Sequence, residues 1–133
     1  MVRHLKDCIR VCDVEKYYGN GQNITKAVDR VSFQVEKGEF VGIMGASGSG
    51  KTTLLNMMAA IDHVTSGHIY YDDLDITEMS ADQLSEFRKE NLGFVFQEYN
   101  LLDTLTLEEN IILPFSLYRQ SKDNIFLQCQ CVQ

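Results

Sequence analysis

Residues 45–52 read G-A-S-G-S-G-K-T, three glycines and a lysine set between an apolar run and a stretch of helical character. Glycine loses more conformational freedom on folding than any other residue, so a loop this poor in side chains is costly to order unless its bare backbone holds something. The spacing is G-x-x-x-x-G-K-[ST], in which successive N–H groups curl into an anion nest and the N-terminus of the following helix adds partial positive charge. The chemistry this predicts is phosphate binding. Gly45, Gly48 and Gly50 shape the loop, Lys51 reaches β- and γ-phosphates, and the Thr52 hydroxyl ligates a magnesium ion that bridges them. The bland alternative is a Gly/Ser-rich turn followed by chance by Lys-Thr, and a match at every fixed position argues against it.

Such a loop needs a strand to lead in and a helix to lead out. "EFVGIMG" (39–45) is nearly continuous in apolar residues and predicts a strand covered on both faces. "KTTLLNMMAAI" (51–61) spreads leucines and methionines round a helix and predicts a largely buried one, ending at Asp62-His63. Before the loop, "CIRVCDV" (8–14) and "AVDRVSFQV" (27–35) are rich in β-branched residues and read as strands, separated by a loop marked Gly-Asn-Gly. After it come a strand in "SGHIYYDD" and a helix from about Ala81 to Asn91, opened by Ser80 with Gln83 three residues on, the pattern of a capping box. "LGFVFQ" (92–97) has strand character, and "TLEENIILPF" (106–115) predicts a short helix stopped near Pro114, the only proline.

Composition bounds the partners. A chain of 133 residues with 44% hydrophobic and 23% charged residues has an ordinary soluble composition and can build a core. Twelve basic against 19 acidic residues give a net charge of −7, which argues against broad electrostatic binding to nucleic acid or anionic lipid, so any anion must be held locally. No segment approaches the ~18 consecutive apolar residues of a membrane span, and the start has no apolar signal region, so the expectation is a cytoplasmic chain with no direct membrane insertion. Cys8, Cys12, Cys129 and Cys131 then read as reduced thiols, since C-x3-C plus C-x-C is not a usual zinc spacing. Asp72, Asp73 and Asp75 read as solvated turn acids, and the scattered His4, His63 and His68 as surface residues.

With "VEKYYGNG" before the loop, "TSGHIYYDDLDIT" after it and "LGFVFQEYNLLDTLTLEENIILPF" beyond, the chain resembles the ATP-binding subunit of an ABC transporter from about Ile9 to Phe115. "IDHVTSGHIYYDDLDIT" and "RKENLGFVFQEYNLLDTLTLEEN" look most like the bacterial group serving lipoprotein release, macrolide export and bacitracin-type peptide resistance. The resemblance implies an α/β fold: a phosphate-loop NTPase core of the ABC ATPase kind with an N-terminal antiparallel β part, incomplete at the C-terminus. It implies ATP and Mg2+ as cofactors. Tyr18, in preference to the adjacent Tyr17, matches the aromatic that stacks on adenine. Ser47, Gly48, Ser49, Gly50, Lys51, Thr52 and Thr53 take the phosphate positions, and Gln97 matches the Q-loop glutamine that touches the magnesium and the attacking water. Lys51 and Gln97 are thus the catalytic candidates, and Thr52 and Gln97 the metal ligands. Position 46 is Ala where many relatives carry Pro, which leaves the glycine geometry intact. The implied partners are a membrane permease and a second ATPase subunit, and the implied place is the inner face of the plasma membrane.

The same resemblance marks what the sequence does not contain. No L-S-G-G-Q signature, Walker B aspartate with its following glutamate, or switch histidine occurs in the 133 residues. The expectation is a domain part over 1–118 and a non-family tail over 119–133, in a truncated product that binds Mg-ATP without efficient hydrolysis. A non-catalytic fragment or split-gene half acting only as a protein-interaction module is the alternative. A GTPase would need N-K-x-D, which is absent, and a small kinase a lid with catalytic arginines, whereas only Arg88 and Arg119 follow the loop.

Overall fold

Apolar residues at 9, 11 and 14 break the period of two expected along a strand, and the break is structural. In the computed structural model, which describes residues 7–96, 100–117 and 125–128, strand β1 (Asp7–Tyr18) carries a register shift between Val11 and Val14 against its neighbours. Asp13 sits there with φ 46, the left-handed conformation that aspartate tolerates better than most residues, and its N–H bonds Ser32 Oγ at 2.8 Å. The bulge turns Val14 back to the side of Ile9 and Val11, and all three are buried.

The described residues fall into two units, Met1–Met79 and Ser80–Gln133. In the first, β1 is paired antiparallel on one side with β2 (Thr25–Glu36) and on the other with β3 (Ser66–Tyr71), which pairs with the short β4 (Leu74–Asp75), giving the order β2-β1-β3-β4. This is the expected N-terminal antiparallel part, with strands longer than the apolar runs alone suggested. Helix α1 (Lys51–Met58) supplies Leu54, Met57 and Met58 to the core that Ile9, Val11, Val14, Val28 and Ile69 line from the sheet. The helix stops one turn short of the expected Ile61: Ala60 takes φ 56, and the N–H groups of Ile61 and Asp62 turn back to the Asn56 carbonyl.

The strand expected over 39–45 is not formed. Residues 39–46 have no regular structure, and Phe40 and Met44 are 99% and 93% exposed. Among the described residues no strand pairs with this segment, so its backbone has no ladder to join.

In the second unit, α2 (Ala81–Asn91) has the predicted capping box, with Gln83 N–H donating to Ser80 Oγ and Ser80 N–H to Gln83 Oε1. Leu84 and Phe87 are its buried residues, and Leu92 is buried at the start of β5 (Leu92–Val95), which pairs parallel with β6 (Ile125–Gln128). Helix α3 (Leu107–Leu117) runs past Pro114 instead of stopping there. Proline withholds the N–H that would reach back to residue 110, and with three residues left in the helix that loss falls in the last turn.

Candidate nucleotide site

Helix α1 begins where the motif says it should. Its N-cap is Gly50, in the left-handed conformation at φ 86, no side chain caps it, and its first turn holds no acid. The uncapped N–H groups and the positive end of the helix are therefore offered outward. Only glycine fits there: a Cβ at Gly50 would lie 2.1 Å from the Ala27 carbonyl oxygen on β2. Gly48 also has φ 77, in open space. Ser49 N–H bonds the Ala46 carbonyl at 3.2 Å, and Lys51 Nζ folds over the loop to donate to the carbonyls of Gly45 and Ala46 at 2.8 and 2.7 Å and to Ser49 Oγ at 3.2 Å. The result is an exposed ring of backbone closed over itself by one ammonium group. Glycines in left-handed conformations, an uncapped helix start and a lysine at the mouth form the donor set that a phosphate chain requires, so the residues present fit the phosphates of ATP there, and the exposed Thr52 follows Lys51 in the first turn.

Tyr18 ends β1 and is 44% exposed. Its hydroxyl donates to Asp62 Oδ2 at 2.7 Å, and the Thr53 side chain in the first turn of α1 lies close enough to act on the phenol. Partial burial, together with the neighbouring Asp62 carboxylate, pushes the Tyr18 phenol above its ordinary value. Tyr17, the adjacent aromatic, is instead half-buried with Lys26 Nζ 5.0 Å from its ring centre. The structure thus places Tyr18 beside Asp62 and Thr53, the latter one residue past the loop 45–52. Gln97 lies outside the described residues, as do His4, Cys129 and Cys131.

Sequence reasoning missed Asp62 and Lys16. Asp62 reads in the sequence only as the residue after a helix, yet it accepts from Tyr18, from Lys16 Nζ at 2.7 Å and from the His63 N–H at 2.8 Å. Burial alone would raise its carboxyl, but these bonds outweigh burial and hold it below the usual carboxylate value. The signal available was a lysine two residues ahead of the aromatic, and nothing in the local sequence pointed from it to residue 62. Asp75 is likewise no simple solvated acid. It caps the 3₁₀ turn Ile76–Glu78 by accepting from Thr77 N–H at 2.9 Å and meets His68 Nδ1 at 2.8 Å. Partial burial works to raise its carboxyl, and the Thr77 and His68 bonds overcome it, so the group is held down.

A phosphate-binding loop opening a helix, beside an antiparallel sheet that ends in an aromatic, defines an ATP-binding cassette, and comparison with known proteins agrees. The family model described as ABC transporter matches residues 28–130. The bacitracin export ATP-binding protein BceA of Halalkalibacterium halodurans is 47% identical over 123 residues, covering 90% of this chain and 49% of its own length. The macrolide export ATP-binding/permease protein MacB of Mannheimia succiniciproducens is 43% identical over 106 residues, 80% of this chain and 16% of its own. Among solved structures, the dimeric bacterial ABC transporter cassette MJ0796 superposes with a TM-score of 0.78 at 40% identity, over 85% of this chain and 49% of that one, and has also been solved in a post-hydrolysis state with ADP and Pi. The chain belongs to the ABC transporter family. It spans about half the length of the BceA and MJ0796 chains it matches.

Proposed function

We propose that this chain binds magnesium-ATP as the ATP-binding component of an ABC-type export or peptide-resistance transporter, alongside a membrane permease and a second ATPase subunit at the inner face of the plasma membrane, and that alone it turns ATP over inefficiently. The observation that carries the reading is Lys51 closed over an uncapped helix start behind Gly48 and Gly50. In this reading the backbone of 45–50 with Ser47 and Ser49 cradles the phosphates, Lys51 neutralises them, Thr52 holds Mg2+, Thr53 lines the first helical turn, and Tyr18 takes the adenine. Gln97 is assigned to the metal and the water by resemblance alone. Magnesium bound to the phosphates supplies charge neutralisation; the residues of this chain supply position. Inefficient turnover follows because phosphoryl transfer depends on a positioned water and a stabilised transition-state charge, and the sequence holds neither a Walker B acid pair nor a signature motif.

The test is calorimetric titration of the purified chain with Mg-ATP beside Lys51→Ala and a phosphate-release assay. Saturable binding, weakened at least ~100-fold by Lys51→Ala given the strength of charge-assisted bonds to phosphate, with no phosphate release, is the expected result. No binding by a folded chain would move the weight to the second reading, an interaction module without nucleotide function, which the exposed Phe40 and Met44 favour.

A further inference from the structure

Tyr18 stands at a strand end, next to the exposed Gly19-Asn20-Gly21, and is 44% exposed. Packing does not fix a ring in such a place; a chain of hydrogen bonds does. The phenol donates to Asp62 Oδ2 at 2.7 Å, while Asp62 Oδ1 takes Lys16 Nζ at 2.7 Å. Lys16 is held in turn by the His63 carbonyl at 2.6 Å, and its Nζ lies 5.0 Å from the centre of the Tyr18 ring. The lysine side chain is 12% exposed and the aspartate 29%. The pair is part-buried and breaking it would cost stability, yet stability alone is an incomplete account of a knot that engages both carboxylate oxygens. Orientation is a better one.

We infer that Asp62 and Lys16 are positioning residues that hold the Tyr18 ring beside the first turn of α1, with Lys16 against one face, so that a planar base stacks on the other face while its phosphates lie in the loop. This rests on the nucleotide reading above and goes beyond it, because it assigns base affinity to two residues that touch neither base nor phosphate. A lysine over one face is attracted to the ring's negative π-face and leaves the other for stacking, which fixes the side from which the base approaches.

The experiment separates base from phosphate by titrating the full chain with Mg-ATP and with magnesium tripolyphosphate, for the unsubstituted chain and for Asp62→Asn, Lys16→Met, Tyr18→Ala and the Asp62→Asn/Tyr18→Ala pair. Asp62→Asn and Lys16→Met are each expected to weaken ATP about 5–10-fold, the equivalent of one hydrogen bond, and to leave tripolyphosphate within about 2-fold. The double variant is expected to lose no more than Tyr18→Ala alone, since the two act through one ring. Unchanged ATP affinity in Asp62→Asn and Lys16→Met while Tyr18→Ala loses it overturns the positioning role alone, as does an equal loss for both ligands. Absence of ATP binding by the unsubstituted chain overturns the nucleotide reading and this inference with it.

Discussion

At the scale of single residues, two glycines in the loop have the same backbone handedness and different surroundings. Gly48→Ala meets only the strain of a left-handed conformation, about 1–2 kcal/mol, because nothing lies within 4 Å of the added atom. Gly50→Ala meets that strain and a backbone oxygen at 2.1 Å that has no freedom to retreat. Urea unfolding is expected to show the second variant losing clearly more stability than the first, and Mg-ATP titration to show it losing binding as well. Acids make the other prediction at this scale. Asp62 and Asp75 are both held below the ordinary carboxylate value in the fold, by bonds that outweigh burial. Such groups contribute stability above their unfolded pKa of about 3.9, and lose it as pH falls through the lower folded value. Thermal melting is expected to be flat with respect to these acids from neutral pH to about pH 5 and to decline below about pH 4. Asp62→Asn should flatten part of that decline.

At the scale of elements, one buried hydrogen bond joins α1 to the sheet. The hydroxyl of buried Tyr71, on β3, donates to the Met58 carbonyl at 2.5 Å, tying the last turn of α1 to the sheet. Burial raises the Tyr71 phenol well above its ordinary value, so it stays a donor throughout the accessible pH range. Tyr71→Phe leaves that carbonyl short of a donor and is expected to cost about 1–2 kcal/mol in chemical denaturation, without altering the loop. Local signals made α2 legible to the residue: Ser80, Gln83 and a buried Leu84–Phe87 stripe agree on one answer. The loop and the start of α1 were legible for the same reason, through fixed glycines and a lysine, whereas the helix ends at Met58 and not at Ile61. Strand 39–45 was not, because a continuous apolar run records that a segment is built to be covered and carries no information on what covers it. Helix α3 exposed a different gap: proline's cost depends on how many residues of helix follow it, which residue type alone does not state. The Tyr18–Asp62 contact joins residues 44 apart in sequence, and no local pattern announces such a pair.

For the molecule as a whole, the bare apolar segment is the feature that governs behaviour in solution. Phe40 and Met44 project almost fully into water beside the exposed Val41, in a chain whose pI is about 4.8. Light scattering is expected to show concentration-dependent self-association at pH 7, reduced in Phe40→Ser/Met44→Ser. Because both residues are exposed, stability in that variant should stay within about 0.5 kcal/mol of the parent. The two halves of the candidate site also differ in how far along the chain their parts lie. Lys51 closes the loop by bonds to residues 2 to 6 positions behind it, whereas Tyr18 waits for Asp62, and Tyr17 for Thr65, 48 positions on. During synthesis, therefore, the bonds that fold Lys51 over the loop can form as soon as residue 51 has left the ribosome, while the contacts that steady the aromatic must wait for the stretch 62–65 to emerge.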